Sequence, residues 1–82
     1  LSMLDEISSF MTPHSMAMLG IHMIRDELEP EKRIEALERI IDGTDEGSTS
    51  RNAALIVAIE TLQELDRQDE AADLMVELVL SN

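Results

Sequence analysis

Apolar residues recur at helical spacing along most of the chain. Leu4, Ile7, Phe10 and Met11 repeat three and four apart, and Ser2 stands three before Asp5, so residues 2–11 are expected to form a short helix with a weak capping box. Thr12-Pro13 is a stronger start signal. The threonine hydroxyl can accept from a free amide of the first turn, and proline suits the first helical position because no amide is needed there. That helix is expected to run to about Leu28, since Glu29 precedes Pro30 and the residue before proline avoids the helical region. Pro30 opens another helix, expected to end at Asp42 with Gly43 as its cap. Residues 43–50 read as a loop. Ser50 is then expected to cap a helix from Arg51 to Asp66 or Arg67, and Asp69 to cap a last helix ending near Leu80. Ala54–Ile59 would suit a strand in isolation, but Leu62 and Leu65 continue it in helical phase. The expected fold is all-α: a small bundle of four main helices in two hairpins, 13–42 and 51–80, plus the short N-terminal helix, all in one domain over 1–82.

The faces of these helices differ. Over 31–42 the pattern is ordinary: Ile34, Leu37 and Ile41 make one stripe, and Glu31, Glu35, Glu38 and Asp42 make the opposite, acidic face. Glu35 and Arg39 are spaced for an i,i+4 ion pair. Elsewhere the polar face is nearly missing. Between Met16 and Ile24 only His22 is clearly polar, between Ala53 and Ile59 nothing is, and between Leu74 and Leu80 only Glu77 is. A helix that is apolar most of the way round is either central or shared with a partner, and a chain this short has little interior. The expectation is therefore association through apolar helix faces, most simply as a two-fold homodimer. Met16, Leu19, Met23, Leu55, Ile59, Leu62, Leu74, Met75 and Leu78 are expected to supply that contact. Five of the six methionines (Met3, Met11, Met16, Met18 and Met23) crowd the first 23 residues, a composition that suits either an adaptable binding surface or core filling.

Charge and composition then remove whole classes of function. Eighteen acids against six bases give a net charge of −12, which argues against direct nucleic-acid binding and against docking on an anionic membrane. No apolar run approaches the ~18 residues of a membrane span, and no basic-then-apolar leader is visible, so a cytoplasmic protein is expected. The absence of cysteine excludes disulfides, thiolate zinc sites and a cysteine nucleophile. Asp42–Ala53 has a glycine at the sixth place of a twelve-residue calcium loop, but Ala53 stands where a bidentate glutamate is required. The acidity and helical content suit an acyl carrier protein, yet Asp45-Glu46-Gly47-Ser48-Thr49 lacks the Asp-Ser-Leu setting of the carrier serine. His14 and His22 are eight apart, too far to share a metal, while His22 and Asp26 are within reach of a pair. With no nucleophile elbow and no phosphate-cradling loop, a non-enzyme with no cofactor and no metal is expected.

Two readings follow. The first is a protein-interaction module (regulator, adaptor or assembly chaperone) that binds a partner protein through an apolar helix face while its acidic faces favour basic partners. The second is a nucleic-acid mimic, with carboxylates in rows at Glu31, Glu35, Glu38 and Asp42 and at Glu60, Glu64, Asp69, Glu70, Asp73 and Glu77. Lys32, Arg33 and Arg39 lie beside the first of those rows and favour the interaction module.

Overall fold

A computed structural model describes residues 12–82. They form four helices, α1 (Pro13–Glu27), α2 (Pro30–Gly43), α3 (Thr49–Glu64) and α4 (Gln68–Leu80), and no strand. The helix expected over 2–11 lies outside the described residues. Thr12 caps α1, its Oγ1 accepting from the Ser15 amide at 3.1 Å, with Pro13 in the first turn. The chain leaves α1 through Leu28 and Glu29, both extended, and Pro30 restarts the helix at once.

Three caps differ from the sequence reading. Thr44, not Gly43, ends α2: the helix runs through the glycine, and Thr44 turns extended while its Oγ1 donates to the Ile40 carbonyl at 2.7 Å. Ser48, not Ser50, caps α3, accepting from the Arg51 amide at 3.2 Å. The start moves because Gly47 makes the turn just before it, at φ +76°, where a Cβ would also stand 3.1 Å from the Ser81 carbonyl. Asp69 does not cap α4; it lies in the first turn with Glu70, where carboxylates meet the positive end of the helix.

Between α3 and α4 the chain turns on Asp66, at φ 58°. The Arg67 amide donates to the Leu62 carbonyl at 2.8 Å and the Asp66 amide to Gln63 at 3.0 Å, the paired bonds of a Schellman ending. That left-handed position suits glycine better than aspartate. Asp66→Gly is therefore expected to raise stability by about 0.5 kcal/mol, seen as a higher urea midpoint at unchanged slope. A fall in the midpoint would show that the Asp66 side chain contributes more than its backbone costs.

The core is organised around α3. Ala54, Leu55, Val57, Ala58, Ile59, Thr61 and Leu62 are buried on it, against Ile21 of α1, Ile34, Leu37 and Ile41 of α2, and Ala71 of α4. This explains the absence of a polar face over 53–59: helices pack on α3 from several sides. By contrast, α2 and α4 each pack along α3 and scarcely meet one another. The described residues span 44 × 27 × 15 Å, about two helix layers at the thinnest, so the outer helices keep wet backs. No described helix is long and apolar enough to cross a membrane.

Candidate functional site

Because α2 and α4 flank α3 without closing on each other, they leave a groove of 290 Å³. Glu38, Ile41 and Asp42 line it from α2, Leu62 from α3, and Glu70, Asp73, Leu74 and Glu77 from α4. Helical repeats set this chemistry. The acidic face of α2 brings Glu38 and Asp42 to one side, and the 70–73–77 row of α4 brings carboxylates to the other. Ile41, Leu62 and Leu74 make the apolar floor.

Arginines tie the ends of this groove. The Arg51 side chain is 8% exposed, while that of Glu77 is 40% exposed. Its Nε donates to the Ile41 carbonyl at 3.2 Å, Nη2 bonds to Glu77 Oε1, and Nη1 is buried without a protein partner. At the other end Arg67 reaches Glu31 at 3.7 Å and forks onto Glu70, with Nη2–Oε1 at 2.9 Å. The Arg67 hydrogen bond holds the Glu70 carboxyl below its ordinary range, and Glu70 in turn raises the Arg67 guanidinium. Arg33 joins the α1–α2 turn to α3 through the Leu28 carbonyl (3.1 Å), Thr61 Oγ1 (3.3 Å) and Glu64 (2.9 Å).

Two local pairs differ from expectation. His22 does not pair with Asp26, because Arg25 lies between them, with Nη2 3.0 Å from His22 Nδ1 and Nε 3.0 Å from Asp26. Glu35 pairs with Lys32 at 3.4 Å rather than with Arg39. Among the described residues Glu38, Asp42 and Asp73 form no ion pair, and of the six bases only Arg39 forms none.

A second feature is the outer face of α4. Ala71, Leu74 and Leu78 turn inward, so Met75, Val76, Val79 and Leu80 face solvent, the last three 57%, 73% and 80% exposed. Among the residues expected to make an association surface, Leu55, Ile59 and Leu62 are instead core, because α3 is central. Leu74 and Leu78 are half-buried against that core, Met16 and Leu19 are half-buried on α1, and Met23 and Met75 are exposed. Val76, Val79 and Leu80 lie in the apolar stretch 74–80 expected to supply that surface but are not among the residues named for it. They fall off the 71–74–78 stripe by which α4 packs on α3. Compared with known proteins, the chain matches no family model, no curated protein and no solved structure.

Proposed function

We propose that this chain is a protein-interaction module, a cytoplasmic adaptor or regulator that binds through the outer apolar face of α4. The observation that carries this reading is the run of Met75, Val76, Val79 and Leu80 on one exposed helix face. A cluster of large apolar side chains in water favours whatever covers it, at roughly 25 cal/mol per Å² buried. A second copy of the chain is the simplest cover, since a two-fold pairing lays the same face on itself. The cations are largely occupied in internal ties, so the free surface is negative and favours encounters with basic partners. The same ties weaken the nucleic-acid mimic: Glu31, Glu35, Glu64, Glu70 and Glu77 all carry a cation, which interrupts any phosphate-like row.

The test is association state. Light scattering at micromolar concentration should report a species larger than the 9.2 kDa chain. Val76→Asp with Val79→Asp should return it to the monomer with helical circular dichroism unchanged, because both side chains are already exposed. A wild-type chain that is monomeric, and that loses no protein contact when these two valines are changed, would end this reading.

A further inference from the structure

We infer that the groove between α2 and α4 takes a cationic amphipathic helix of a protein partner, with an apolar side chain seated on Ile41, Leu62 and Leu74 and lysines or arginines meeting Glu38, Asp42 and Asp73. This rests on the reading of the chain as an interaction module, but it names a surface other than the outer face of α4 and the chemistry of what binds there.

The argument is charge complementarity around an apolar floor. The groove is lined by carboxylates and aliphatic side chains, with no cation among its lining residues. Glu70 and Glu77 are already neutralised by Arg67 and Arg51. Among the described residues Glu38, Asp42 and Asp73 form no ion pair, though Arg67 lies within charge–charge reach of Glu38, and they stand on both sides of the floor. An uncharged apolar ligand would leave three carboxylates partly stripped of water with nothing in return, which costs binding. A polycation without apolar residues would leave the half-buried Leu74 wet, Ile41 and Leu62 being buried already. A helix with an apolar anchor and flanking basic residues answers both needs, since positions three and four apart project from one face. The groove also has fixed walls. Arg51 holds Ile41 and Glu77 together across it, and Arg67 spans from α4's start to Glu31.

The probe is a synthetic leucine–lysine amphipathic helix, titrated into the full chain and followed by backbone-amide NMR. Shifts are expected on residues 38–42 and 70–77. Glu38→Gln, Asp42→Asn and Asp73→Asn together should weaken binding about tenfold. The charge-matched control Glu27→Gln, Glu29→Gln and Glu60→Gln should change it less than about twofold. A peptide with its leucines replaced by serine should bind far more weakly. Equal losses in the two triple variants, equal binding of the serine peptide, or shifts confined to other surfaces would each overturn the inference. The Val76→Asp, Val79→Asp variant separates the two readings. Peptide binding that persists in it supports the groove whatever its association state, whereas peptide binding lost with it assigns the peptide to the outer face and sinks the groove alone.

Discussion

Leu55→Ala should cost about 4 kcal/mol, a large share of the stability such a domain has. Leu55 is fully buried on the helix that the other three pack against, so its truncation opens a cavity no single neighbour can fill. A domain of this size carries only ~4–12 kcal/mol of net stability. The informative comparison is the next residue. Ile56 is 46% exposed, and Ile56→Ala should cost no more than about 1 kcal/mol. Two adjacent aliphatic residues in an unbroken apolar run should therefore differ by several kcal/mol. Urea midpoints at constant slope measure this. Comparable losses would mean that α3 is not turned as described, and the groove and the outer face of α4 would lose their basis together.

That pair also shows where the sequence stops being informative. Periodicity needs contrast, and α2 has it: Ile34, Leu37 and Ile41 alternate with four acids, and all three are buried. The stretch 53–59 has no contrast, so its helix is legible but its orientation is not. The surplus of apolar residues read there as a sign of association is largely buried at the centre of the described fold; among the described residues what remains exposed lies chiefly on α4. The caps were missed for a local reason. Gly43, Ser50 and Asp69 are all competent capping residues, but Thr44 bonds back to the Ile40 carbonyl and Gly47 places its turn just before Ser48. The groove was half legible. The acidic row of α2 was visible, but its meeting with the 70–73–77 row depends on α2 and α4 sharing α3, a tertiary fact.

Arg51 had a signal that periodicity does not carry. It lies in the first turn of α3, where a cation faces the positive end of the helix, and Glu77 lies in the last turn of α4, where an anion faces the negative end. Two charges at the wrong ends of adjacent antiparallel helices suit each other, and the guanidinium also serves an orphan carbonyl, Ile41, in the last turn of α2. The partners differ in what their loss leaves behind. Glu77→Ala strands a buried cation that already has one unpartnered nitrogen, and should cost about 3 kcal/mol. Arg51→Met leaves a carboxylate that can return to water, and a flexible apolar side chain of similar reach fills the space; the remaining loss is the bond to Ile41, about 1 kcal/mol. The anion should thus matter more than the cation it holds, and because Arg51 is buried, added salt should not close the gap. Chemical denaturation of the two variants decides the order. If Arg51→Met proves the more damaging, the tie to the end of α2 outweighs the ion pair, and the rigidity of the groove would depend on that carbonyl rather than on Glu77.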